Sequence, residues 1–145
     1  MYSMVKRVSV FALALLTLVM GIVVPFRRAE AATTYNNTIQ ATLNCSIGTN
    51  GKLNAVLGVT GIKGKTTHVS VALYVEKRIL GVFWSKVDIG CDNNTWTDSY
   101  YGYSYDNTFR TDISSSGTYR VTVTYTVSGS GGSDDIITMT DIVTY

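Results

Sequence analysis

Proline is almost missing from this chain: of 145 residues only Pro25 is one, and none follows it. Exposed strand edges beyond that point must be guarded by charge and by bulges, since no proline is there to remove a ladder donor. Histidine is equally scarce, with His68 alone, so a Ser-His-Asp or Cys-His arrangement must use it. It falls on the outward positions of an alternating segment, with no nucleophile or orienting acid at a recognisable spacing. Two cysteines, Cys45 and Cys91, and one histidine match no zinc spacing and leave a tetrahedral structural site unfilled. Beyond residue 31 no stretch shows helical spacing. The glycine-rich Gly129-Ser130-Gly131-Gly132-Ser133 lacks the lysine and the following helix of a phosphate-cradling loop, and it reads as a mobile hairpin tip. No cofactor is implied.

What the chain does have begins at its N-terminus. A short basic start containing Lys6 and Arg7 precedes an apolar run from Val8 to Val24, and Ala29-Glu30-Ala31 follows. Charge, apolar stretch and small residues at alternate positions make the layout of a helical secretory signal peptide cleaved after Ala31. Residues 1–31 are then the leader and 32–145 one domain of ordinary size. Cleavage would remove Lys6, Arg7, Arg27, Arg28 and Glu30, leaving eight basic against nine acidic residues and a net charge of −1. The surplus of positive charge therefore belongs to the leader. The remainder has no electrostatic footprint for nucleic acid, which needs clustered cations to release counterions from phosphates. An uncleaved signal anchor is the alternative, because the seventeen residues from Val8 to Val24 reach the lower end of a bilayer span. Arg27 and Arg28, just past the run, oppose that orientation. Membrane contact is expected only through this segment, if it is retained.

Period two dominates the rest. Val69, Val71, Leu73 and Val75 alternate with polar neighbours, as do Tyr119, Val121, Val123, Tyr125 and Val127. Each reads as a half-buried strand. The same reading turns Ile39, Ala41, Leu43 and Cys45 inward in a first strand and Leu53, Ala55, Leu57 and Val59 inward in a second. Turn residues at 48–51, 61–64, 92–94, 114–117 and 128–135 separate the segments. About seven strands with turns between them predict an all-β antiparallel sandwich or barrel.

Gly117-Thr118-Tyr119-Arg120-Val121 narrows the choice. A Gly two residues before a Tyr, itself two before a core position, resembles the tyrosine corner at the start of strand F in immunoglobulin-like sandwiches, where the Tyr hydroxyl binds upstream backbone. Val121 stands where antibody domains have their second Cys, so their intersheet disulfide is absent. Val69-Ser70-Val71-Ala72-Leu73 followed by Trp84, the stretch Gly117 to Val123, and the closing Val143-Thr144-Tyr145 are similar to a group of small secreted Gram-positive bacterial proteins with an immunoglobulin-like or fibronectin type III-like sandwich. The resemblance implies a fold and an exported protein; it implies no activity and no catalytic residues.

Cys45 and Cys91 survive cleavage, and an even pair in an exported chain is most simply a disulfide, the alternative being two buried thiols. Carboxylate pairs such as Asp134 with Asp135 and Asp92 with Asp98 read as turn residues. Asp92-Asn93-Asn94-Thr95-Trp96 begins like a calcium loop but puts Trp at a ligand position and lacks the Gly and terminal Glu. The segment with surplus chemistry is Trp96 to Tyr105, where Tyr100, Tyr101, Tyr103 and Tyr105 join Trp96 within ten residues. On an extended chain Tyr101, Tyr103 and Tyr105 share one face, an aromatic stripe suited to sugars or proteins. The alternative is that they pack into the sandwich. In the closing strand the alternation fails at Thr140-Asp141, which predicts a bulge or an inward charge. Self-association through a strand edge is a further expectation.

These observations point to a secreted, non-enzymatic binding or adhesion module with a glycan, cell-wall or protein ligand. A secreted bacteriocin or toxin-like effector is the second reading, and a small extracellular hydrolase the third.

Overall fold

The computed structural model describes residues 34–145; the expected leader and cleavage site lie outside the described residues. Eight strands form: β1 Thr38–Ile47, β2 Lys52–Gly61, β3 Thr66–Ile79, β4 Phe83–Lys86, β5 Trp96–Tyr101, β6 Ser104–Asp112, β7 Thr118–Gly129 and β8 Asp135–Thr144. About seven were expected; β4, with four residues, is too short to show alternation. No helix among the described residues is long and apolar enough to cross a membrane.

All pairings are antiparallel. One sheet has the order β1-β2-β6; the other runs β4-β3-β7-β8, with β5 also on β3. The 14-residue β3 carries two neighbours on one edge: β5 pairs with His68–Leu73 and β4 with Glu76–Ile79. Alternation follows from this layout, because each long strand has one face on the core and one outside. Leu53, Ala55, Leu57 and Val59 of β2 are buried against Val69, Val71, Leu73 and Val75 of β3 and the inward residues of β7. Thr34–Tyr145 is thus a unit with its own core. Fully burying each of these valine and leucine side chains contributes about 1.5–3 kcal/mol.

Ile39 departs from the expected inward set. The β1–β2 register shifts between Thr38 and Gln40, so Ile39 is the extra residue of a bulge and lies outside. At Thr140-Asp141 no bulge forms: the register of β7 with β8 is continuous and sets Asp141 opposite buried Val121, making it an inward charge.

That charge helps to close one side of the molecule. The β1 and β8 edges lie side by side in different sheets, and two aspartates join them. Asp141 Oδ2 accepts the Cys45 N–H at 2.8 Å. Asp135, buried at the start of β8, accepts the N–H groups of Asn36 and Asn37 at 2.8 Å and the Thr38 hydroxyl at 2.9 Å. Burial alone would raise the Asp135 carboxyl; these donors outweigh it and hold the group below its ordinary value.

The glycine-rich β7–β8 connection is tied down rather than mobile. Buried Asn37 donates to the Ser133 carbonyl at 3.1 Å and accepts the Gly131 N–H at 3.0 Å, while Ser130 N–H reaches the Lys65 carbonyl at 3.0 Å. A Cβ at Gly131 would overlap the Asn36 carbonyl, so glycine is required there for close approach.

Tyr119 begins β7 buried, and its hydroxyl donates to the carbonyl of Ser115, four residues upstream. Gly117 pairs with Tyr145 through two backbone bonds, at 2.9 and 3.0 Å, and so brings the C-terminus alongside. Tyr119→Phe keeps the ring and strands the Ser115 carbonyl; it should lower stability by about 1–2 kcal/mol in thermal denaturation. An unchanged melt would show that the hydroxyl bond has no structural role.

Candidate binding site

The predicted aromatic stripe is not formed. Period two holds only along one strand, and here the chain changes sheets in the middle of the tyrosines. Gly102 N–H bonds the Thr67 carbonyl beside the larger sheet at 2.9 Å, and the carbonyl of the next residue, Tyr103, accepts from Gly61 of the smaller sheet at 2.6 Å. β5 ends at Tyr101 and β6 starts at Ser104. The rings therefore part company. Tyr101 is 83 % exposed on the outer face of the larger sheet, its ring centroid 4.7 Å from that of His68. Tyr103 stays exposed at the crossing, and half-exposed Tyr100 lies across Gly102, where any Cβ would strike its ring. Tyr105 turns inward and is 4 % exposed. Trp96 packs on the core, its ring 5.4 Å from Phe109.

Asp98 is the hub of this region, and it sits inside β5 rather than in a turn. It shares the inward positions with Trp96 and stands opposite Val71, at the gap between the β5 and β6 edges. Its Oδ2 accepts the Tyr105 hydroxyl and the Asn107 amide, both at 2.8 Å, and its Oδ1 accepts the Ser99 N–H at 2.9 Å. The Tyr105 hydroxyl is the main cause that holds the carboxyl below its ordinary value, with Asn107 and Ser99 adding to it against partial burial. Burial, with the Asp98 bond behind it, pushes the Tyr105 phenol up. Asp98 thus joins the two sheets on this side as Asp135 and Asp141 do on the other.

Two shallow depressions meet at Asp98 and Ser99. A cleft of about 490 Å³ between β5 and β6 is lined by Asp98, Ser99, Tyr100, Ser104, Tyr105, Asp106 and Asn107. A depression of about 530 Å³ on the outer face has a floor of small residues, among them Ser70, Ala72, Thr97, Thr124 and Thr126. The surface offers carboxylate, amide and hydroxyl groups, with exposed tyrosine rings at its end. An ionised carboxylate has about four acceptor sites, and three bonds to Asp98 leave one on Oδ1. In sequence Asp98 reads as a turn residue and Asn107 carries no sign of a role; the one local sign is that Asp98 is in phase with Trp96.

The expected disulfide is not formed: both cysteines are free. Cys45 lies on β1 beside β8, whereas Cys91 precedes β5, which pairs with the edge of β3 away from β7. Cys45 stands opposite Ala55, and Ala55 opposite Phe109, so two inter-strand spacings, roughly 10 Å, separate Cys45 from the strand whose Phe109 meets Trp96 of β5. A disulfide needs Cα atoms within about 7 Å. Burial, and then the Asp141 carboxylate, push the Cys45 thiol up to about 12, which suppresses the reactive thiolate. Cys91 packs its Sγ 3.9 Å from the Ile89 carbonyl.

Asp92–Asn94 forms a single 3-10 turn with Asn93 at φ 52°. Among the described residues no three His, Cys, Asp or Glu side chains converge as a metal site would require. Comparison of the chain with protein-family models and with curated proteins returns no match.

Proposed function

We propose that this chain is an exported immunoglobulin-like sandwich that acts without catalysis, by binding neutral glycan in the β5–β6 cleft. In chain order, β1, β2 and β6 correspond to strands A, B and E, and β3, β7 and β8 to C, F and G. This division, with the Tyr119–Ser115 bond at the start of F, supports the immunoglobulin-like reading. β5 departs from the constant-type pattern by pairing with C instead of E. The leader layout of residues 1–31 supports export.

The observation that carries the binding reading is Asp98. A carboxylate held ionised, one acceptor site free, beside Asn107 and exposed Tyr100 is the donor, acceptor and ring set that polyhydroxylated ligands use. Its lowered pKa suits an acceptor of hydroxyl hydrogen bonds and opposes a role as general acid, which needs a raised one.

A glycan and cell-wall polysaccharide screen of residues 34–145 tests this. Binding should appear, and Tyr100→Ala should weaken it about five- to tenfold without moving the melt, since ring contacts of this kind contribute about 1–1.5 kcal/mol. Absence of carbohydrate binding, or equal affinity in Tyr100→Ala, would refute the reading.

A further inference from the structure

The β3–β4 hairpin overshoots the body of the protein. Pairing of β3 with β7 stops at Lys77 opposite Tyr119, while β3 and β4 go on pairing with each other to Ile79 opposite Phe83. The overhang ends in five residues, four of them large and apolar. Ile79, Leu80, Val82 and Phe83 are 41, 86, 69 and 66 % exposed. Solvated loop tips ordinarily carry polar residues, and a contiguous apolar tip marks an interaction site.

The turn strengthens the point. Val82 N–H closes on the Ile79 carbonyl at 3.1 Å, with Leu80 at φ 52° and Gly81 at φ 72°, the sign pair of a type I′ turn. Those positions favour Asn-Gly or Gly-Gly; a left-handed Leu costs about 1–2 kcal/mol relative to Gly on the backbone term. The other non-glycine residues with positive φ among those described are both asparagines, Asn93 and Asn94. A strained leucine, 86 % exposed at the hairpin tip, is explained by a use for its side chain.

Behind the apolar tip comes an aromatic and cationic tier. Trp84 lies under two guanidinium groups, Arg120 at 4.4 Å and Arg78 at 6.0 Å, and Lys86 stands 4.8 Å over Tyr74. Lys77 flanks them. The sole acidic residue from 76 to 86 is Glu76, and Arg120 binds it at 2.6 Å. Apolar side chains, then tryptophan, then Arg and Lys is the order of side chains across a membrane interface. Pairing of two such tips from two copies would set these cations against one another, whereas an anionic surface attracts all of them.

We propose that the β3–β4 hairpin is a membrane-docking element: Ile79, Leu80, Val82 and Phe83 enter the surface of an anionic bilayer, and Arg78 and Lys86 meet the lipid phosphates. This inference is independent of the glycan reading. Co-sedimentation of residues 34–145 with vesicles of phosphatidylcholine, with and without phosphatidylglycerol, tests it. The protein should sediment with the anionic vesicles and far less with phosphatidylcholine alone. The variant with Arg78→Gln and Lys86→Gln should bind anionic vesicles about twenty-five-fold more weakly, about fivefold for each cation. Leu80→Asn should weaken binding at least about tenfold while raising the melting temperature, because asparagine accepts the left-handed turn. A better-folded variant that binds worse separates lipid contact from loss of structure. Wild-type protein that stays in solution, or Leu80→Asn that binds like wild type, overturns the proposal. So does a dimer that Leu80→Asn dissociates in protein that ignores vesicles, which would assign the tip to a second copy.

Discussion

Tyr105→Ser should cost about 3–5 kcal/mol, the range for removing a buried aromatic ring. Tyr105 is 4 % exposed and its hydroxyl is the main donor to Asp98, so the change opens a cavity and loosens the β5–β6 side together. For a domain whose whole stability is about 5–15 kcal/mol, that is a large share. Urea denaturation should show a midpoint far below wild type. Tyr101→Ser, at an 83 % exposed position, should stay within about 0.5 kcal/mol. Tyr105→Phe divides the effect, because it keeps the ring and removes only the bond, for about 1–2 kcal/mol. Equal midpoints for Tyr105→Ser and wild type would take Tyr105 out of the core.

Asp135→Ala should be nearly as damaging, at about 3 kcal/mol or more, because hydrogen bonds to a charged group contribute about 1.5–3 kcal/mol and three are lost. The orphaned donors are Asn36 N–H, Asn37 N–H and the Thr38 hydroxyl, which anchor the start of β1 to β8. The same carboxylate sets an acid limit. Its folded pKa lies below the unfolded value, so its stabilisation is complete above the ordinary carboxylate range and is lost as pH falls through the folded value. Asp98, lowered for similar reasons, acts with the same sign. Wild-type stability should therefore fall below about pH 4, and Asp135→Asn should start lower and fall less steeply. An Asp135→Asn protein with the wild-type acid limb would show that the titrating group lies elsewhere.

The strands that sequence places well are β2, β3 and β7. Each is at least ten residues long and keeps one face on the core over most of that length, and period two then repeats often enough to be read. β4 escaped because four residues cannot show a period. Ile39 misled because one bulged residue inverts the faces on either side of it. The hairpin tip at Ile79–Phe83 left a trace, Leu-Gly within an apolar run, but nothing local says that β7 ends before it.

The candidate sites were the least legible part. Tyr101, Tyr103 and Tyr105 alternate in the sequence and diverge in space because Gly102 and Tyr103 bond to different sheets. Cys45 and Cys91 share a parity with inward neighbours, yet parity fixes a face and says nothing of which side of the molecule a strand occupies.

By itself the sequence determined a near-neutral, proline-free, all-β domain behind a leader-like segment, because composition and alternation are local properties carried by every strand. The tertiary structure decided how an edge without proline is protected. Asp135 finds Asn36 across 99 residues, Asp141 finds Cys45 across 96, and Asp98 faces Tyr105 only because the chain crosses between sheets. Those bonds depend on which strand edges lie side by side, a relation between distant segments that no period within either one contains.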